Sequence, residues 1–282
     1  MPQDKDFRAV VNAIRDGKRK PLIMGILNLT PDSFYDGGSY PGTKEILDAA
    51  SGMIAEGAEI LDIGAVSTRP GSVAPQIEEE WDRMKTALTE VRRSFPEIII
   101  SVDTYRAEIA KRAVSEGADI INDVSAGMMD LEMCATIGKM KVPYIAMHMQ
   151  GTPQNMQQQP TYDNVTAEVI AFLSERIQLF ESAGSPMVIA DPGFGFGKTI
   201  ANNFQLLHEL EHITSRFPTL VGISRKSMIY KVLQTTATGA LNGTTVANTV
   251  ALIKGAHILR VHDVKEAREA VEIVSMMKSS VT

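Results

Sequence analysis

The chain has 282 residues, 44% of them hydrophobic and 22% charged, which supports one large core and excludes wholesale disorder. Its formal net charge of -6 argues against a nucleic-acid or membrane-surface partner, and with one cysteine, Cys134, no internal disulfide can form. The stretch Met1 to Phe7 lacks the apolar segment of a signal peptide, and no apolar run approaches the ~20 residues needed to span a bilayer, so a cytoplasmic globular protein is expected.

Residues 1–20 read as an N-terminal extension of open role. Beyond them, short apolar runs recur at Leu22–Leu27, Ile60–Ile63, Ile98–Val102, Ile120–Ile121, Tyr144–Met147, Met187–Ala190, Leu220–Ile223 and Ile258–Val261. Runs without strict alternation suit strands buried on both faces, as in parallel sheets. Helical spacing lies between them, clearest where Val165, Val169, Phe172, Leu173 and Phe180 share a stripe and Glu168, Glu175 and Arg176 lie off it. Glu56-Gly57-Ala58, Glu116-Gly117-Ala118 and Lys254-Gly255-Ala256 repeat one signature where helix gives way to strand, with glycine free to take the left-handed conformation that ends a helix. Strand then helix, eight times over, predicts an α/β chain of one (β/α)8 TIM-barrel domain over residues 21–282. A doubly wound open sheet is the competing architecture.

In such barrels the chemistry lies where strands end. Those ends carry Asn28, Asp62, Asp103, Asn122-Asp123, His148, Asp191, Ser224-Arg225-Lys226, and Arg260 with His262, while the strand starts show no matching set. Any single Asp or Asn could cap the next helix; polar groups at every end point to an enzyme. Asp103, Asn122 and Asp191 offer acceptors for a flat heterocycle with adjacent N–H groups, such as guanine or a pterin, and Lys226, Arg260, His262 and the loop residue Arg69 offer donors to an anion. Long loops at Thr30–Gly38 and Ser67–Ser72 are candidate lids.

Other motifs fail. Gly193–Thr199 resembles a phosphate loop, but its first glycine would fall at Pro192; its glycines read instead as letting backbone pass close to a ring. His208 and His212 share a predicted helix face without a third ligand, Cys134 reads as core, and no serine nucleophile elbow appears.

Taken in order, Asn28-Leu29-Thr30-Pro31-Asp32-Ser33-Phe34, Leu61-Asp62-Ile63-Gly64, Ser67-Thr68-Arg69-Pro70-Gly71, Ser101-Val102-Asp103-Thr104, Ile121-Asn122-Asp123, Met147-His148-Met149-Gln150-Gly151, Asp191–Phe196, Ser224-Arg225-Lys226-Ser227 and Arg260-Val261-His262-Asp263 resemble the dihydropteroate synthase family. The resemblance implies condensation of 6-hydroxymethyl-7,8-dihydropterin pyrophosphate with p-aminobenzoate to 7,8-dihydropteroate and pyrophosphate, a folate-biosynthesis step and a sulfonamide target. It assigns Asp103, Asn122, Met147, Asp191 and Lys226 to the pterin, and Asn28, Thr30, Arg69, Arg260 and His262 to the pyrophosphate. Magnesium (Mg2+) falls near Asn28, and Phe34, Thr68, Pro70, Phe196 and Ser227 frame the aminobenzoate. Arg69, Lys226, Arg260 and His262 would act in catalysis, with Asp36 steadying a cation, and family members pair as homodimers through helices near strand eight. The family often has Gly-Glu before Ser-Thr-Arg-Pro where this chain has Ala65-Val66, and an apolar Val66 cannot replace a charged contact. A pterin-binding methyltransferase barrel and a catalytically silent pterin-binding homologue are the alternatives.

Overall fold

A computed structural model describes residues 7–29, 42–66, 75–152, 154–156 and 160–280. A helix α1 (Phe7–Arg15) precedes strand β1 (Leu22–Asn28), and the chain then alternates through α2 (Thr43–Ala55), β2 (Ile60–Gly64), α3 (Ile77–Ser94), β3 (Ile99–Asp103), α4 (Ala107–Ser115) and β4 (Ile120–Asp123). It continues with α5 (Met133–Met140), β5 (Tyr144–Met147), α6 (Val165–Ala183), β6 (Val188–Asp191), α7 (Ile200–His208), α8 (Glu211–Thr214), β7 (Leu220–Val221), α9 (Ser227–Tyr230), α10 (Leu241–Ile253), β8 (Ile258–Val261) and α11 (Val264–Ser279).

The eight strands form one parallel sheet in the order β6-β5-β4-β3-β2-β1-β8-β7. A parallel bridge from Ala190 to Thr219, with the Ala190 amide donating to the Pro218 carbonyl at 2.8 Å, joins β6 to the residues entering β7 and brings the ring together. The predicted barrel is observed, and the open doubly wound sheet is not.

Side chains alternate along each strand. Leu61, Ile63, Ile100, Val102, Ile121, Tyr144, Val188 and Leu259 pack outward in one apolar layer with the helices. Leu22, Met24, Ile60, Ile120, Ile145, Ile189, Leu220 and Ile258 fill the barrel's lower interior in a second apolar cluster. Phe7, Val11 and Ile14 of α1 belong to that second cluster, so α1 seals the end where strands begin. A cavity of ≈ 620 Å³ opens beside it, lined by Phe7, Val10, Arg19, Ile54, Phe95 and Ile99 among others; it holds none of the expected site residues and lies at the end opposite to them.

The helix-to-strand glycines behave as their signature predicts: Gly57, Gly117 and Gly255 have φ of 106°, 105° and 90°. The α6 stripe also holds, with Val165, Val169, Leu173 and Phe180 buried and Phe172 packed partly against them. His208 and His212 do not share a helix, because α7 ends at His208 and α8 starts at Glu211. Cys134 is in the first turn of α5 and half-buried.

Candidate active site

At the other end of the ring, the same alternation that turns Ile60, Ile120 and Ile258 inward turns Asp62, Asn122 and Arg260 inward one step further along. Asp62 is fully buried and is the hub. The Arg260 Nε donates to its Oδ2 at 2.6 Å, the Asn122 Nδ2 donates to the same oxygen at 3.1 Å, and the Ser101 hydroxyl donates to Oδ1 at 2.6 Å. The second arm of Arg260 donates to Asp103 Oδ2 at 2.8 Å. A guanidinium is planar and holds its donors in a fixed fork, so grips on two carboxylates fix the orientation of the whole group.

Asn28 is beside this hub. It pairs in register with Gly64, which pairs with Asp103. Gly64 leaves the space open: a Cβ there would lie 3.3 Å from Asp103 Cβ and 3.7 Å from both Asn28 Oδ1 and Asp103 Oδ2. Two oxygens of the strand ends therefore face one small gap.

Across the mouth, Lys226 enters from the loop after β7. Its ammonium donates to the Phe194 carbonyl and lies 4.6 Å from the centroid of the Phe196 ring. Gly222 keeps the way clear, since a Cβ there would meet Arg260 Cβ at 3.8 Å and Lys226 Nζ at 3.9 Å. Asp191, buried at the end of β6, accepts from the Gly193 amide at 2.8 Å. Met147 is buried opposite Asp191 in the β5–β6 register. His262 is exposed at the rim, its Nδ1 2.9 Å from the Ser224 hydroxyl. Arg225 takes a left-handed φ of 55° and clasps Asp263, tying together the loops after β7 and β8. Ser227 opens α9 directly after Lys226 and is half-buried.

Burial sets the protonation of this cluster. It pushes Asp103 up to about 7, with Arg260 opposing and Asp62 reinforcing. It also raises Asp191, against the pull of Lys226 and the Gly193 amide. Lys226 is brought down to about 8 by burial, against the attraction of Asp191.

Asp103, Asn122, Asp191, Lys226, Arg260 and Asn28 thus share one mouth, while His262 stands at its edge. Thr30, Phe34, Asp36, Thr68, Arg69 and Pro70 lie outside the described residues. Of the pair Asn122-Asp123, only Asn122 faces inward; Asp123 accepts from Tyr144, Ser125 and Gly127 on the helix side. Within 193–197, a Cβ on Gly193 would lie 1.8 Å from the His148 carbonyl oxygen and one on Gly197 2.4 Å from that of Gln150, so these two glycines admit neighbouring backbone, whereas one on Gly195 would meet Lys226 Cδ at 3.0 Å on the side of the mouth.

A model of the pterin binding enzyme family matches residues 24–262. The chain is 42% identical over 265 residues to the dihydropteroate synthase of Escherichia coli strain K12, covering 92% of this chain and 93% of that one. The chain belongs to the dihydropteroate synthase family.

Solved structures of the family superpose closely on it. The Yersinia pestis dihydropteroate synthase in complex with a sulfonamide drug does so with a TM-score of 0.87 at 38% identity, over 92% of this chain and 95% of that one. The Xanthomonas albilineans dihydropteroate synthase with 4-aminobenzoic acid gives 0.85 at 37% identity, over 92% and 93%.

Within this family barrel, Asp62 is the residue whose importance motif reading understates. A carboxylate in mid-strand between Leu61 and Ile63 is the signal that finds it, since an unpaired buried charge is too costly to keep. Lys198, dismissed with the failed phosphate loop, is a second: it is buried at 3% exposure behind the turn that carries Phe194 and Phe196.

Proposed function

We propose that this chain condenses 6-hydroxymethyl-7,8-dihydropterin pyrophosphate with p-aminobenzoate to give 7,8-dihydropteroate and pyrophosphate. The observation that carries this reading is one barrel mouth in which Asp103, Asn122 and Asp191 gather acceptors while Arg260 and Lys226 bring cations alongside. A carboxylate can take paired N–H bonds from a 2-amino-4-oxo pyrimidine edge, so we assign Asp103, Asn122, Asp191, Lys226 and Met147 to the pterin. Arg260 and His262 receive the diphosphate, with Arg69, Thr30 and Asn28 completing that end.

The reaction runs by ionisation first. The methylene carbon–oxygen bond breaks with its electron pair leaving on pyrophosphate, and the electron-rich ring delocalises the cation that remains. The amine lone pair then forms the carbon–nitrogen bond, and the nitrogen loses its proton. Charge develops on the leaving group in the transition state, where Arg69, Arg260 and His262 stabilise it. An aromatic amine is neutral near pH 7, so no strong base is required; Asp36 steadies the cation. Phe34, Thr68, Pro70, Phe196 and Ser227 frame the aminobenzoate.

Among the described residues no group of three or more His, Cys, Asp or Glu side chains could cage a metal. The Asn28 amide oxygen, beside the gap over Gly64, would instead give magnesium the single protein oxygen it needs, with water and phosphate completing its shell. When bound, it neutralises charge on the leaving pyrophosphate.

A homodimer belongs to this reading: α10 and α11 expose Val246, Ile253, Ile273, Met276 and Met277, an apolar surface suited to a second copy. So does a cytoplasmic location, where a half-buried free Cys134 is kept reduced. The deciding assay is pyrophosphate release. It should require both substrates together; release with the pterin alone, or none with both, would overturn the assignment. Asp103→Ala should weaken pterin pyrophosphate binding at least about tenfold in calorimetry, through the lost charge-assisted bonds.

A further inference from the structure

The turn from Gly193 to Phe196 between β6 and α7 supplies two contacts of Lys226: the Phe194 carbonyl and the Phe196 ring. Behind that turn sits Lys198. Its Nζ is 2.9 Å from the Gly193 carbonyl oxygen, 3.1 Å from that of Phe196 and 2.9 Å from His148 Nδ1. An ammonium has three N–H donors, and these three acceptors occupy them; the His148 carbonyl oxygen at 3.4 Å is a longer fourth contact.

The surroundings make this expensive as mere glue. Lys198 forms no ion pair among the described residues, and the charged or titratable groups around it are His148 at the end of β5, Asp191 at the end of β6 and Lys226 after β7. Burial and the nearby Lys198 charge hold the His148 imidazole down to about 3, so it stays neutral and can accept. Burial also brings Lys198 down to about 7 against Asp191, and below that the ammonium satisfies the three close acceptors. A buried cation costs several kcal/mol that an apolar side chain would not.

The turn itself is braced for a fixed position. The Gly195 amide donates to Asn203 Oδ1 at 2.7 Å, and the Tyr162 hydroxyl donates to the Gly197 carbonyl at 2.6 Å. Gly193 presses against the His148 carbonyl so closely that no larger residue fits.

We propose that Lys198 is a positioning residue that pins the Gly193–Phe196 turn to the end of β5, so that the turn's outer face aims the Lys226 ammonium into the pterin pocket. This rests on the reading of Lys226 as a pterin contact. The test measures the Kd of pterin pyrophosphate and the steady-state constants at one pH below the Lys198 value. In Lys198→Met the Kd and the pterin KM should rise about tenfold while kcat stays within about threefold, the pattern of a lost binding geometry. A purely structural role would lower the folded fraction, and so kcat per mass of protein, with Kd and KM unchanged. That pattern overturns the proposal.

His148 gives a second route that survives poor folding of the lysine variant. His148→Asn keeps an acceptor near the Nδ1 position and should bind within about twofold of wild type, whereas His148→Leu, lacking it, should follow Lys198→Met. Wild-type affinity in His148→Leu overturns the proposal. If wild type binds pterin pyrophosphate but releases no pyrophosphate with p-aminobenzoate, the functional reading falls, and the Kd comparison still decides the role of Lys198.

Discussion

Asp62 accepts from a guanidinium, an amide and a hydroxyl delivered by β8, β4 and β3, and it has no exposure to water. Removing one partner of such a buried pair leaves the other charge stranded. Asp62→Ala should therefore lower stability in urea by about 3–5 kcal/mol, and should cut kcat/KM by more than about tenfold because Arg260 is free to turn. Unchanged kinetics in the folded variant would show that Asp103 alone orients Arg260. Two of the shifted groups at the mouth, Asp103 and Lys226, also set a pH window. Asp103 must be ionised to accept from the pterin, and burial lifts it to about 7; Lys226 must be protonated to donate, and burial lowers it to about 8. Pterin affinity should thus fall as pH drops through the Asp103 value and fall again as pH rises through the Lys226 value, by up to about tenfold per pH unit on each limb. Asp103→Asn should reduce the acid limb to the part that Asp191 contributes, and Lys226→Met should remove the alkaline one, read by titration calorimetry across pH.

At the scale of elements, the strand–helix alternation was legible because short apolar runs and Glu-Gly-Ala-type helix ends repeat in the sequence. What periodicity did not reveal was partnership. Asp123 reads like a site residue until its acceptance from Tyr144 shows it facing the helices, and nothing in the spacing of the 193–197 glycines shows that Gly193 and Gly197 admit the backbone of His148 and Gln150 just after β5. Both depend on contacts between segments far apart in the chain, which local spacing does not encode. The glycines themselves differ in what they tolerate. Gly193→Ala adds a methyl 1.8 Å from a carbonyl oxygen at a φ of 70°, and the receptor of that clash is backbone. It should cost more than about 4 kcal/mol. Gly57→Ala meets the flexible Arg268 side chain at 2.9 Å, so only its φ of 106° resists, and a loss of about 1–2 kcal/mol is expected. Thermal unfolding of the pair measures the contrast; equal losses would mean that the backbone near His148 yields.

For the whole molecule, chemistry and closure are segregated to opposite ends of the ring. Helix α1 brings Phe7, Val11 and Ile14 against Leu22, Met24, Ile60 and Ile258, far from Arg260 and Lys226. Val11 is fully buried there, and Val11→Asp should destabilise the fold by about 3–5 kcal/mol while kcat/KM of the folded fraction stays at the wild-type value. Kinetics that decline along with stability would show the two ends to be coupled.

The hub has a consequence for how such a barrel can be assembled. Asp62, Asp103 and Asn122 come from β2, β3 and β4, whereas Lys226 and Arg260 come from the segments around β7 and β8. Made alone, the segment through β4 would turn Asp62 and Asp103 toward its own interior without the Arg260 guanidinium, while the remainder would keep Asp191 beside Lys226 but lack both carboxylates that orient Arg260. A solitary half-barrel would offer a ligand only part of the mouth, and closing the ring completes it.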